Sequence, residues 1–326
     1  FHTFLGGNNP LKAPQEWMNE DQFIHDISVH EWFIKKGFSE ELVDLAYNLN
    51  ITHGYSAKDV SVLMLMFVNA FAASQSRLGF QTSLVAEGGN IRIAEEMAKN
   101  LKHEILLNKE VTSIDLSNDS AKVSCSDGTS YSANRIICSL PFSVLKGISI
   151  YPKINGPQSE AIKSLKSQKI NMLHLIPKTP FWEKDEMSPN MYTDELAGMI
   201  ISQRQASSPE KVDSLTAWLR GPIAERLDLM DQKEAIESVI KSIERLRPSA
   251  KDQLEVAAYH SWSLSPYSKG DWAYWGPGQI KEFGREISKP HLKLHFCGEH
   301  TAIANRGMEG ALESGERAFF EILDVT

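Results

Sequence analysis

Apolar positions along this chain change period near residue 104, from helical spacing before it to strand spacing after it. Residues 1–75 read as helical. Ser28-x-x-Glu31 is a capping-box pattern leading into Trp32, Phe33 and Ile34, and Gly37 is a C-terminal stop. Ser39 predicts a second helix with Leu42, Val43, Leu45 and Ala46 on its inner face. Ser56 with Asp59 predicts a third, apolar on most sides from Val60 to Ala73 and therefore deeply buried. After Gly88 and Gly89, the spacing of Ile91, Ala94, Met97 and Leu101 predicts an amphipathic helix.

From Glu104 onward, Ile105 to Leu107, Val111 to Leu116, Ala121 to Ser124 and Ile136 to Leu140 read as short strands. Ser126-Asp127-Gly128 is a hairpin signal, and Pro141 ends the meander. A helix over 157–167 follows, then a strand from Ile170 to Ile176 ending at Pro177. Further strands are predicted at Met199–Ser202, Leu215–Leu219 and Leu254–His260, with a helix from Gln232 to Arg245. The mixture is α/β (α+β), without repeats or a low-complexity linker. No clean boundary exists, so two domains are expected with the chain crossing between them more than once.

Composition narrows the function classes. Hydrophobic residues at 42% and charged residues at 23% fit an ordinary globular protein. A net charge of −8 excludes a phosphate-tracking nucleic-acid binder, which needs a basic excess, and suits a cationic small substrate weakly. Cys125, Cys138 and Cys297 form no metal-ligand or redox spacing, and their odd number argues against a disulfide framework. A reducing, cytoplasmic compartment and no metal are expected. The run from Val60 to Ala73 is too short to span a bilayer. The first residue is Phe rather than Met, so a targeting segment would lie beyond what can be read.

The C-terminal fifty-odd residues carry the densest chemistry. A short strand around Leu294–Phe296 runs into Cys297, Gly298 and Glu299 and, past a brief loop, into a helix with Gly307, Gly310, Ala311, Ser314, Gly315 and Ala318 on one face. A face without bulk lets a ligand approach the backbone, and the first turn offers unpaired N–H groups to an anion or a polarised carbonyl. Such a face equally packs on a neighbouring strand. Upstream, Trp262, Tyr267, Trp272, Tyr274 and Trp275 crowd a loop rich in turn formers, where rings can stack on a flat cofactor or simply fill a core.

Six separated segments, in order, resemble the flavin-dependent amine oxidases, the monoamine and polyamine oxidase family. They are Lys109-Glu-Val-Thr-Ser-Ile114, Ile136-Ile-Cys-Ser-Leu-Pro-Phe142, Lys178-Thr-Pro-Phe-Trp182, Trp262 with Pro266-Tyr-Ser-x-Gly270, Phe296-Cys-Gly-Glu-His-Thr-Ala302 and Gly307-Met-Glu-Gly-Ala-Leu-Glu-Ser-Gly-Glu-Arg-Ala318. The likeness runs from about Leu11 to the C-terminus. It implies a discontinuous FAD-binding domain (residues 76–150 and 261–326) and a substrate domain of mixed sheet and helices (residues 1–75 and 151–260). It further implies that Val111 holds the adenine through its backbone and that Gly298 and Glu299 lie by the ribityl–pyrophosphate region. Met308 would offer its amide to the flavin C2=O, Trp262 and Tyr267 would border the ring, and Arg306, Gly307 and Ala311 would complete the cofactor contacts.

The departures from the family pattern are as informative. Asp271 stands where some members carry a cysteine thioether, so FAD is expected to be non-covalent. Of the two aromatic walls that face the flavin, Trp272 supplies one and Gly307 leaves the other open. The lysine associated with oxygen reaction is replaced by Met172, which leaves O2 or another electron acceptor open; Lys169 would point to the opposite face. No Gly-x-Gly-x-x-Gly occurs between Phe1 and Thr326. The N-terminal Rossmann portion is therefore expected outside this chain, as a preceding or separate nucleotide-binding fragment. The implied reaction is oxidation of an amine to an imine, and a homodimer is open. Arg306 reads either as a carboxylate clamp, giving an amino-acid oxidase, or as a surface or phosphate-side charge. An amino-acid oxidase or other flavin desaturase, and a degenerate non-catalytic binding protein, are the alternatives.

Overall fold

The computed structural model describes residues 13–48, 51–77, 86–205, 208–304 and 306–325. Short helices lead the chain, and their caps are those the sequence announces. Ser28 Oγ accepts from Glu31 N at 3.0 Å and opens helix Val29–Lys35. Gly37 then turns the chain at φ +86°. Ser39 Oγ caps helix Glu40–Ala46 in the same way, at 3.3 Å from Leu42 N.

The inner face of that second helix is narrower than expected. Val43 is buried together with Tyr47, one turn on, whereas Leu42, Leu45 and Ala46 are exposed. Residues four apart share a face, and Val43 shares its face with Tyr47 at the helix's C-terminal cap. The third helix starts later than Ser56. Asp59 accepts from Ser56 N at 2.8 Å and Tyr55 N at 3.0 Å, closing a turn, and the helix runs Val62–Arg77. It is buried as predicted, with Leu63, Met64 and Phe67 almost inaccessible.

Helix Ile91–Lys99 forms with its apolar stripe intact, yet none of its residues is buried. Ile105, Leu106 and Leu107 form no strand and are more than half exposed. A strand needs a hydrogen-bonding neighbour, and the described residues offer these three none.

Beyond them a meander forms from Val111 to Ala133, but Ile136–Cys138 leaves it for a separate parallel pair and the unexpected strand Ser130–Ala133 takes its place. Ser130–Ala133, Ala121–Cys125 and Val111–Asp115 pair antiparallel in that order, and Ser149–Tyr151 adds in parallel. Gly128, at φ +84°, makes the Ser126–Gly128 turn. A second sheet has the order Leu254–Ser261, Ile170–Pro177, Ser208–Arg220, Met199–Gln205, Met191–Tyr192, all antiparallel. Helix Gln232–Leu246 buries Ala235, Val239 and Ile243 in that sheet's core with Leu173, Leu215 and Leu219. A separate core joins Trp17, Phe67, Ile114, Phe142, Trp275 and Phe296, so the N-terminal helices pack with the meander and the C-terminal segments.

Two small pairings position the site. Leu294–Phe296 runs parallel to Ile136–Cys138, and Ala273–Tyr274 pairs with Lys166–Ser167. Parallel strands leave a crevice beyond their carboxyl ends. Helix Gly307–Leu323 closes this one: its Ser314 Oγ accepts from Gly298 N at 2.8 Å. Cys125, Cys138 and Cys297 are buried free thiols. Among the described residues, no helix is long and apolar enough to cross a membrane.

Candidate active site

The crevice is a cavity of about 550 Å³. Ser139 and Pro141 follow one parallel strand into it, and Gly298, Glu299 and His300 follow the other. Gly307 and Ala311 come from the first turns of the C-terminal helix, and His53 and Val68 from the N-terminal helical part. The aromatic loop contributes Trp262, Ser268, Gly270, Asp271 and Trp272.

That loop is held rigidly. Gly270 N donates to Trp262 O at 2.9 Å, Asp271 N to Gln168 O at 2.8 Å, and Gln168 N to Trp272 O at 2.8 Å. A Cβ on Gly270 would lie 2.6 Å from Ser167 Cβ, so only glycine lets the loop approach this closely. The indole of Trp272 sits between the His53 ring, with centroids 5.8 Å apart, and Trp218, at 6.1 Å.

Charge in the cavity is concentrated and buried. Glu299 Oε1 accepts from Ala273 N at 2.6 Å, and its Oε2 lies 3.6 Å from Arg306 Nη1. Burial pushes the Glu299 carboxyl above its usual range, against the opposing pull of Arg306. Burial, helped by the neighbouring Glu299 charge, raises Asp271 to about 6. Burial, with Arg306 and Arg220 nearby, lowers His53 to about 4; burial with Arg306 and Arg317 lowers His300 to about 3. Both imidazoles are therefore neutral at physiological pH. Trp272 Nε1 and His300 Nε2 are buried without a hydrogen-bond partner among the described residues, and Glu299 Oε2 has only its ion pair with Arg306. Orphaned polar atoms at one cavity are costly unless a ligand satisfies them.

A model of the family described as flavin-containing amine oxidoreductase matches residues 13–322. The chain belongs to that family. Amine oxidase [flavin-containing] A of Bos taurus is 25% identical over 301 residues, covering 88% of this chain and 56% of that protein. Amine oxidase [flavin-containing] B of Homo sapiens is 24% identical over 328 residues, covering 96% and 61%. The chain thus spans somewhat more than half the length of these relatives. Among solved structures, wild-type putrescine oxidase bound to putrescine superposes with a TM-score of 0.79 at 19% identity, covering 99% of this chain and 73% of that one. Cyclohexylamine oxidase from Brevibacterium oxydans IH-35A gives 0.75 at 18% identity, covering 99% and 74%. These likenesses establish the two-domain α/β fold of flavin amine oxidases.

The cavity residues fit a flavin. A Cβ built on Gly307, at φ +73°, meets nothing within 4 Å, so a flat ring has open space over the helix start. Trp272, Glu299 and His300 line the same cavity, and the first amides of the 17-residue helix that starts at Gly307 have no intrahelical acceptors. Met308, second in this helix, supplies one of those amides, while its side chain is exposed.

Of the residues predicted from sequence, Trp262, Trp272, Gly298, Glu299, Arg306, Gly307 and Ala311 come together at the cavity. Tyr267 does not line it and is 65% exposed. Val111 opens its strand opposite Cys125, also outside the lining. Met172 lies in register with Trp218 on one neighbouring strand and His260 on the other. Cross-strand partners share a face, so it points toward the Trp218–Trp272 contact. Lys169 is committed to Glu225 at 2.7 Å. Arg306 is an ion-pair partner of Glu299 and also donates to Glu299 O at 3.3 Å, which binds it to the site's framework. Sequence reasoning missed His53, His300 and Trp218. His300 lies inside the Phe296–Ala302 motif, but His53 follows a helix by some residues, and only the tertiary fold brings it to Trp272.

Proposed function

We propose that this chain forms the substrate-binding and C-terminal part of an FAD-dependent amine oxidase or dehydrogenase that converts an amine to an imine. The observation that carries this reading is the cavity itself: one indole wall, neutral imidazoles and the buried Glu299–Arg306 pair beside the start of a small-residue helix, in a chain of this family. When bound, FAD would supply the acceptor for a hydride equivalent from the amine's α-carbon, and the imine product would be released to hydrolysis.

The chain's own residues supply orientation and electrostatics. Trp272 gives the amine a flat apolar wall. His53, neutral and beside it, accepts a hydrogen bond from the amine N–H without adding charge. Asp271, ionised above about pH 6, attracts the ammonium form as it arrives. Gly307 leaves the second wall open, which admits a bulky or differently placed amine. Asp271 at the position of the thioether cysteine leaves FAD non-covalent. Met172 in place of lysine favours an acceptor other than O2, or slow reaction with it.

The test is an absorbance spectrum of the full-length protein, recorded before and after anaerobic addition of amines. Flavin bands that bleach with an amine and return slowly in air support both parts of the reading. Bands that no amine bleaches overturn it.

A further inference from the structure

Arg220 ends strand Ser208–Arg220 and is 7% exposed. A guanidinium carries five donors and normally meets a carboxylate when buried. Here no Asp or Glu oxygen lies within 4.0 Å of it among the described residues. Its Nη2 donates to Met199 Sδ at 3.0 Å, a weak acceptor, and its Cζ lies 5.6 Å from the Trp218 ring. The guanidinium lines its own cavity of about 140 Å³ with Asn48, Met199 and Trp218. That cavity shares Asp194, Pro222 and Ile223 with a surface cleft of about 690 Å³.

Trp218 and Arg220 are two apart on a strand and share a face of the sheet. Trp218 in turn packs on Trp272, the wall of the flavin cavity, and Arg220 exerts its charge on Asp271 and His53 in that cavity. The row Trp272–Trp218–Arg220 thus runs from the amine end to a buried cation with no carboxylate oxygen within 4.0 Å among the described residues, Asp271 acting on it only from farther away. A charge held this way is expensive unless an anion from outside completes it.

We propose that Arg220 is a substrate-carboxylate site, so that the amine oxidised here carries a carboxylate several carbons from its nitrogen. The proposal rests on the amine-oxidising reading of the neighbouring cavity. An α-amino acid fits poorly, because its carboxylate sits on the reacting carbon, beside Trp272 rather than beyond Trp218. The carboxylate reader is therefore Arg220, while Arg306 is already paired with Glu299.

The experiment uses the full-length, flavin-loaded protein and three ligands: pentanoate, 5-aminopentanoate and pentylamine. Calorimetric titration is expected to show pentanoate binding, weakened about 100-fold in Arg220→Met and less in Arg220→Lys, the loss typical of a charge-assisted contact. In anaerobic bleaching, 5-aminopentanoate should half-saturate at lower concentration than pentylamine, and Arg220→Met should weaken 5-aminopentanoate far more than pentylamine, removing that advantage. Failure of pentanoate to bind, or an equal effect of Arg220→Met on both amines, overturns the proposal even if amines bleach the flavin. Arg220-dependent pentanoate binding with no bleaching by either amine supports the subsite and overturns the amine-oxidising reading instead.

Discussion

At the scale of single residues, the cavity's ionisable groups pull the pH dependence in opposite directions. The folded-state pKa of Asp271 is raised to about 6, above its ordinary 3.8. The unfolded chain therefore releases this proton first, and native stability falls as pH rises from about 4 to about 6. His53, lowered to about 4, does the reverse: the unfolded chain takes up a proton below 6.5 that the native site refuses, so stability falls as pH drops from there toward 4. Asp271→Asn removes only the first effect. It should match the native protein near pH 4 and gain about 1–3 kcal/mol of stability by pH 7, since each tenfold change in proton affinity is worth ~1.4 kcal/mol. Thermal melts across this range check it. A constant difference at all pH values would mean that Asp271 titrates normally and is solvated. The same carboxylate should be needed for the ammonium to approach, so the stabilised variant is expected to bleach less readily with amines at low concentration.

At the scale of elements, the parallel pair ending at Gly298 is the tightest constraint in the site. Gly298 adopts φ +118°, and an added Cβ would lie 2.6 Å from His300 Cε1 and 2.7 Å from its Nδ1. The His300 ring cannot swing away freely, because it packs on Phe142 with centroids 4.5 Å apart and is almost fully buried. Gly298→Ala should therefore cost at least about 2 kcal/mol, from left-handed backbone strain and overpacking together. It should also lower flavin affinity, whereas Gly128→Ala, in an open surface turn, should cost stability alone. Chemical denaturation and flavin titration of the two variants separate these effects. Local signals made much of this element legible: the strand, the glycine after it and the small-residue helix could all be read from residues 294–318. Other elements were legible only in part. Helix Glu40–Ala46 is capped where Ser39 predicts, but only Val43 of its expected inner face meets the core, because periodicity does not report which neighbours cover a face. The strand at Ile105–Leu107 failed because apolar runs predict a partner without supplying one. His53 and Arg220 carried no local signal, since their roles arise from contacts with residues far away in sequence.

At the scale of the whole molecule, two apolar helix faces lie open among the described residues. Ile93, Met97 and Leu101 on one side, and Leu312, Phe319 and Phe320 on the C-terminal helix, are all more than 40% exposed. The parallel sheet beside them has two strands among the described residues. The sequence contains no Gly-x-Gly-x-x-Gly turn to hold a pyrophosphate. Binding energy from the 326 residues themselves should thus come from the isoalloxazine. We predict that this chain, expressed by itself, binds riboflavin and FAD with equal affinity, as read from quenching of flavin fluorescence. A tenfold preference for FAD, about 1.4 kcal/mol, would show that the nucleotide half is recognised within these residues after all. In that case Val111, which opens its strand away from the cavity, is the first position to probe. Equal affinities would instead show that these residues read the ring system alone.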